Sequence, residues 1–220
     1  MGQRMGKKAI ARMTDWPKDS TTPFGEIIDV LGPVGDKDAE AFSILAQHGL
    51  PHRFPKDVEE EAAKIDTTIA QKEIDRRLDF RDTTTFTIDP ADAKDFDDAI
   101  SFKELEENKY EIGVHIADVT HYVQPDSIID QEAIDRATSI YLVDRVVPML
   151  PEVLSNGVCS LNPHEDKLTY SCIFKINSRA EVLDYQVKRT VIHSDRRFTY
   201  EEVQEILEGG EGDYKESWKS

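Results

Sequence analysis

Five aspartates, Asp89, Asp92, Asp95, Asp97 and Asp98, fall within ten positions of this chain. Apolar, β-prone residues bracket them: Phe86 and Ile88 before, Ile100 and Phe102 after. A solvated acidic tail would not be framed in this way. Carboxylates held rigidly together repel, so a folded cluster must take up protons or bind a cation. Crowded carboxylate oxygens suit a hard divalent ion, Mg²⁺ first and Mn²⁺ as the alternative. In an extended conformation Asp95 and Asp97 project to one side and Asp98 to the other. A turn between Asp89 and Asp95, kept small by Ala91 and Ala93, would return the first carboxylate to the later group. Two ions about 3.5–4 Å apart could then activate a water against a phosphodiester and stabilise the leaving 3′ oxygen. The bland alternative is a solvated acidic loop with helix-capping roles. A calcium loop needs Gly at its sixth position and Glu at its twelfth. Counted from Asp89 the sixth residue is Lys94, and from Asp95 it is Ile100, so that pattern fails.

These aspartates need a scaffold, and the pattern of the chain predicts one of the α+β class with mostly antiparallel pairing. Strands are expected over 8–15 and 24–31, separated by turn material around Pro17 and Pro23 and stopped by Gly32-Pro33. Two such strands cannot bury a core alone. Asp36 is placed to cap a helix through about His48, with Gly49 at its end. A second helix is expected from Lys56 to about Leu78, with a break near Asp66-Thr67-Thr68. Strands then follow at 84–88, 99–105 and 110–116, the last two as a hairpin about 106–109. Asp126 or Ser127 opens a helix to about Thr138, and 140–147 reads as extended. Pro151 starts a short helix that ends at Asn156-Gly157. Residues 167–176 and 183–193 form a further strand pair. Thr199 caps a last helix, with Glu202 completing a capping box and Gly209-Gly210 as the stop, before a polar tail over 211–220 that reads as frayed.

Composition narrows the function classes. The 220 residues carry a formal net charge of −17. That excludes a simple basic-patch nucleic-acid binder, because phosphate neutralisation needs Lys and Arg. It leaves open an enzyme that grips nucleic acid through metal ions. Residues 1–30 are the exception, with five Lys/Arg (Arg4, Lys7, Lys8, Arg12, Lys18) against four Asp/Glu (Asp15, Asp19, Glu26, Asp29). Cys159 and Cys172 form no CxxC pair, so zinc has no support, and two isolated cysteines read as thiols in a reducing compartment rather than as a disulfide. No apolar run has the length of a membrane span, and the N-terminus lacks the stretch of a signal peptide. The expected setting is cytoplasmic, with no membrane partner.

The run from Thr87 to Ile100 resembles the signature of the RNase II/RNase R family of exoribonucleases, the RNB catalytic domain. The segments Val114–Val123 and Arg145–Pro163 resemble two further stretches of that family, and the details lie nearer its RNase R branch. The resemblance implies a Mg²⁺-dependent enzyme that hydrolyses RNA processively from the 3′ end to nucleoside 5′-monophosphates. It implies Asp89, Asp95, Asp97 and Asp98 as catalytic, metal-holding residues, and Tyr141 as an aromatic face that stacks on a base near the 3′ end. Read without the resemblance, Tyr141 would be ordinary strand core. Asp92 is given no catalytic role. The partners implied are the single-stranded 3′ end of RNA and, in the full-length protein, structured RNA.

The resemblance also implies a division of the chain. Residues 1–33 would be the closing strands of a cold-shock, OB-type barrel, 34–80 a helical linker, and 81–220 the N-terminal part of the RNB catalytic domain. Groups that the family supplies further along would be missing, so this polypeptide is expected to carry little or no nuclease activity by itself. An uncovered part of its core could favour self-association. The rival is a non-catalytic RNA-binding scaffold with an unassembled nuclease core.

His115 and His121 flank Asp118, but a separation of six in a strand spreads them over about 20 Å, which favours structural roles. Asp118 could orient a neighbour by hydrogen bonding. Cys159 reads as buried. Arg145 could touch phosphate or form a salt bridge with Asp144 or another surface carboxylate. Lys94, inside the acidic loop, would offset some repulsion.

Overall fold

The computed structural model describes residues 6–209. The expected frayed tail over 211–220, together with Gly210, lies outside the described residues. The chain divides into two compact units, one of residues 1–55 and 139–147, the other of 56–138 and 148–220.

In the first unit, β1 (Lys7–Asp15) and β2 (Phe24–Pro33) pair antiparallel as a two-stranded ribbon, with irregularities at three points of the register. Helix α1 (Lys37–Gln47) packs on both strands. Its start is set by Asp36, whose side chain accepts from the Ala39 N–H at 2.9 Å, so the sequence signal and the cap coincide. Ala39 and Leu45 are its buried residues. Gly49 follows with φ +70°, the left-handed position expected after a helix end. The stretch 140–147, expected to be one extended segment, is instead a hairpin of two short strands, β7 (Ile140–Tyr141) and β8 (Val146–Val147). Four residues between them reverse the chain, and Leu142 N–H closes the turn on Arg145 O at 2.8 Å.

The second unit is built on a seven-stranded sheet. Its strands are β3 (Leu78–Asp79), β4 (Thr85–Asp89), β5 (Asp98–Glu104), β6 (Lys109–Ala117), β9 (Asp166–Asn177), β10 (Val182–His193) and β11 (Arg196–Thr199), in the order β11-β4-β5-β6-β9-β10-β3. The middle pairs are antiparallel, and both edge strands, β11 and β3, join in parallel. The α+β, largely antiparallel class is therefore observed. The helix expected from Lys56 to Leu78 is two pieces, α2 (Lys56–Ala62) and α3 (Gln71–Ile74). The Asp66 side chain accepts from the Thr68 N–H at 2.9 Å, a local turn that competes with helical hydrogen bonding. Leu78 then enters the sheet as β3 and not the helix. A short helix α4 (Val119–Tyr122) follows β6, and α5 (Ile128–Arg136) starts where Ser127 accepts from the Asp130 N–H. Helix α5 stops two residues short of Thr138, because Ala137 turns left-handed at φ +64°. The helix expected from Pro151 is a wide π-type turn over Val153–Val158, broken at Gly157. Thr199 and Glu202 form both bonds of the capping box that opens α6 (Tyr200–Leu207).

Burial alternates along β5, β6 and β9 in an unusual sense. The buried face carries Ala99, Ser101, Gly113, His115, Thr169, Ser171 and Ile173. The opposite face carries Phe102, Val114, Ile116 (48% exposed) and Tyr170 (50% exposed). Leu154, Leu161, Leu168, Ile173, Val191 and Ile192 fill the interior of this unit. His115 Nδ1 lies 2.6 Å from Ser171 Oγ and its Nε2 2.8 Å from Ser101 Oγ. Gly113 makes room for that ring. A Cβ there would stand 2.3 Å from Ser101 Oγ and 2.4 Å from His115 Nε2.

Candidate active site

The aspartate loop, residues 90–97, connects β4 to β5 (Asp89 closes β4 and Asp98 opens β5). The two strands are antiparallel, with Phe86 opposite Ile100. Their joined ends therefore lie together, and the loop's first and last carboxylates come to one end of the sheet. Within the loop, Ala93 N–H donates to Pro90 O at 3.0 Å, the tight turn that Ala91 and Ala93 were expected to allow.

Three anchors fix the far side of the loop. Phe96 N–H donates to Ser160 Oγ at 3.0 Å, and Leu161 N–H donates to Phe96 O at 2.7 Å. Ala117 N–H donates to Asp97 O at 3.1 Å. The Phe96 ring is buried, which turns the flanking Asp95 and Asp97 away from its pocket. A further anchor comes from β11. Arg197 donates from Nη2 to the carbonyls of Pro90 and of Ala91, the latter at 2.9 Å, and its guanidinium carbon lies 5.0 Å from the Phe96 ring centre.

The carboxylates act on one another. Burial pushes Asp89 above the usual carboxylate range, and the charges of Asp98 and Asp95 add to the rise. The Thr87 hydroxyl, near Asp89 but outside hydrogen-bond alignment, and the Arg197 guanidinium oppose it only in part. Partial desolvation likewise raises Asp97, although its side chain keeps an exposed surface, with Asp95, Asp98 and Asp89 contributing. Asp89 Oδ2 is buried with no hydrogen-bond partner. The structure thus brings Asp89, Asp95, Asp97 and Asp98 into electrostatic contact. Among the described residues no three acidic, imidazole or thiol groups are already closed into a metal-binding cluster. Repulsion between like charges is the physical reason for carboxylates to stand apart until a cation draws them in. The donor set is all oxygen, and one buried oxygen lacks a partner, so the residues fit a hard divalent ion.

Other sequence candidates fall elsewhere. Tyr141 belongs to the first unit, on β7, and is 68% exposed, so it is not strand core. His115 is fully buried, and burial alone drives its ring down to about 4, which leaves it neutral. His121 stands 3.7 Å from Glu73 on α3. Asp118 is buried and sits 2.8 Å from Arg77 Nη2, off the line of a hydrogen bond, while Thr120 Oγ1 donates to it at 2.6 Å. Burial alone would raise the Asp118 carboxyl; Thr120 and Arg77 outweigh that and hold it low. Burial pushes the Cys159 thiol up to about 12, and Cys172 is also free. Arg145 pairs with Asp144 and with Asp38, the salt bridge that was one of its two expected roles. Lys94 is exposed, and the cation that acts on Asp89 is Arg197, which sequence reasoning missed. Nothing near the aspartates in sequence signals Arg197, because only the parallel pairing of β11 with β4 brings it there. Ser160 was missed because it meets the loop only through a bond to Phe96 across 64 residues of sequence.

Comparison with known proteins gives a consistent family. The RNB domain profile matches residues 77–218, and the cold shock domain profile matches residues 1–55. The chain is 44% identical over 208 residues to Ribonuclease R 1 of Lactococcus lactis, covering 93% of this chain and 26% of that protein. It is 44% identical over 209 residues to Ribonuclease R of Thermotoga maritima, covering 94% of this chain and 29% of that one. It therefore spans less than a third of the length of these two relatives. Among solved structures, Mycoplasma genitalium RNase R in complex with double-stranded RNA superposes with a TM-score of 0.80 at 31% identity, over 92% of this chain and 36% of that one. The expected mixed architecture, with a cold-shock segment ahead of the RNB segment, agrees with these matches.

Proposed function

The chain belongs to the RNB domain family, and on that premise we propose that it supplies the metal-holding part of a ribonuclease R-type exoribonuclease. The reaction proposed is hydrolysis of RNA from its 3′ end to nucleoside 5′-monophosphates, with Mg²⁺ or Mn²⁺. The observation that carries the reading is Asp89 Oδ2, buried and without a hydrogen-bond partner, in a loop where neighbouring carboxylates help raise Asp89 and Asp97. Isolated buried charge of this kind is costly, and sites that concentrate it are characteristically functional. Asp89, Asp95, Asp97 and Asp98 would hold the metal. When bound, the ion supplies Lewis-acid stabilisation and a more acidic water. The chain's own residues do the positioning: Ser160 and Leu161 fix Phe96, and Ala117 fixes the Asp97 backbone.

The partner proposed is the single-stranded 3′ end of RNA. Exposed Tyr141 offers an aromatic face that any base could stack on, regardless of sequence. The division into a cold-shock remnant (1–33), a linker (34–80) and a catalytic part (81–220) belongs to the same proposal. So does a cytoplasmic setting, which the two free thiols support. No described helix is long and apolar enough to cross a membrane. Self-association is proposed from the exposed apolar sheet face that carries Ile116 and Tyr170.

A second reading, an RNA-binding scaffold without catalysis, is favoured by one observation: the acidic groups are not closed into a ready-made cluster. Metal titration separates the two. Under the nuclease reading, millimolar Mn²⁺ or Mg²⁺ raises the melting temperature of the chain, and Asp98→Asn removes the response. In a polypeptide with the remaining length of its relatives, Asp98→Asn abolishes RNA shortening and leaves RNA binding intact. No metal response in the unaltered chain, or normal cleavage by the longer variant, overturns the nuclease reading.

A further inference from the structure

Arg197 does not pair with the carboxylates; its hydrogen bonds go to backbone. One end of the guanidinium serves the carbonyls of Pro90 and Ala91, the two residues just after Asp89. Its face covers the ring of Phe96, the residue between Asp95 and Asp97. One side chain thus grips the aspartate loop at its start and near its end. It stands on β11 opposite Thr87 of β4, in a parallel register fixed over four residue pairs. The grip is therefore referred to the sheet rather than to another loop.

The placement has a chemical consequence. Four like-charged carboxylates on one short loop repel one another and would spread it if it were free. A cation inserted among them as an ion pair would consume the oxygens a metal needs. A guanidinium that holds the carbonyls instead resists the spreading, adds positive charge beside Asp89, and leaves the carboxylate oxygens available. The planar fork can reach two carbonyls while its face lies on a ring, and a lysine ammonium cannot do both. We infer that Arg197 is a positioning residue that holds residues 90–97 in the arrangement able to accept a divalent cation. This rests on the metal reading proposed above.

The test uses the whole chain and two readouts. The first is amide hydrogen exchange over 90–97 in metal-free protein. The second is Mn²⁺ affinity, from the resonance signal of free Mn²⁺. Arg197→Ala should speed exchange across 90–97 while leaving β6 and β9 protected, and should weaken Mn²⁺ binding by about tenfold or more. Arg197→Lys, which keeps the charge but has no planar group to lie on the Phe96 ring while holding the carbonyls, should fall between Arg197→Ala and the unaltered chain. Unchanged Mn²⁺ affinity in Arg197→Ala, or Arg197→Lys equal to the unaltered chain in both readouts, overturns the inference. Should Arg197→Ala unfold, Arg197→Lys decides by the same criteria. If the unaltered chain binds no Mn²⁺, the metal reading falls by itself, and unchanged exchange over 90–97 would then also remove the grip.

Discussion

Two polar groupings sit on one sheet and are satisfied in opposite ways. Between the strands, His115 meets the hydroxyls of Ser101 and Ser171, and Thr169 and Thr190 hydrogen-bond across β9 and β10. One ring nitrogen donates and the other accepts, so a neutral imidazole uses its whole capacity. At the end of the sheet, burial and neighbouring carboxylates raise Asp89 and Asp97, and Asp89 Oδ2 has no hydrogen-bond partner. The first grouping closes on itself and holds the fold together. The second is incomplete until something positive joins it, which marks a place for a ligand.

The closed grouping should be the more expensive to damage. Arg77, at the rim of the buried face, pairs with Asp118 and Glu73, each at 2.8 Å, and donates to Thr169 O at 3.2 Å. Arg77→Ala leaves the buried Asp118 charge with only the half-exposed Arg189 guanidinium, 3.6 Å away, as its cation. The expected loss is about 3–5 kcal/mol in urea unfolding. Arg77→Met combined with Asp118→Leu should cost much less, because neither charge is then stranded. Equal losses in the single and double variants would show that packing, not charge, dominates there.

His115 gives a pH signature. Its folded value, about 4, lies below the ordinary 6.5, so the folded state resists protonation. The stability from this group is complete above about pH 6.5 and is lost as pH falls toward 4, to an extent of about 3 kcal/mol. The difference between the chain and His115→Gln, measured from pH 7 to 4, should shrink by about that amount. A flat difference would mean that the ring takes up its proton as readily in the folded chain as in the unfolded one, and that the grouping is not closed.

How far the sequence foretold this contrast depends on the range of the bonds involved. The caps at Asp36, Ser127 and Thr199 were legible because each bond spans only three residues. The hairpins of β5–β6 and β9–β10 were legible from alternation and turn residues. The edge strands β3 and β11 were not, because each pairs in parallel with a strand distant in sequence. The break near Asp66 in the helix from Lys56 was legible, since Asp66 offers Thr68 a local bond in place of a helical one, whereas the entry of Leu78 into β3 was not. At the candidate site, the spacing of the aspartates was visible, but the cation beside them was assigned to nearby Lys94. Arg197 reaches the loop only through the β11–β4 pairing, and no local pattern encodes that.

The open grouping should respond to metal where the closed one does not. At a Mn²⁺ concentration 100 times its Kd, the chain should gain about 2.7 kcal/mol of stability by mass action. Thermal unfolding with and without Mn²⁺ reads this directly. Asp89→Asn should remove most of the gain, whereas Ser171→Ala, which alters only the hydroxyl layer, should retain it. The same gain in both variants would place the metal somewhere other than the loop.

The smallest effect expected is also the most discriminating in sign. The raised Asp97 carboxyl means that ionising it costs more in the folded chain than in the unfolded one. Its favourable contribution is present below its ordinary value and disappears as pH rises through the folded value. At pH 7, without metal, Asp97→Asn should therefore raise the melting temperature, an unusual result for loss of a polar contact. The advantage should fade as pH is lowered, when both states protonate Asp97, and should reverse when saturating Mn²⁺ stabilises only the unaltered chain. A residue that served only to solvate a surface loop would show none of these three signs. A structural residue, such as those of the His115 layer, would show destabilisation under all conditions.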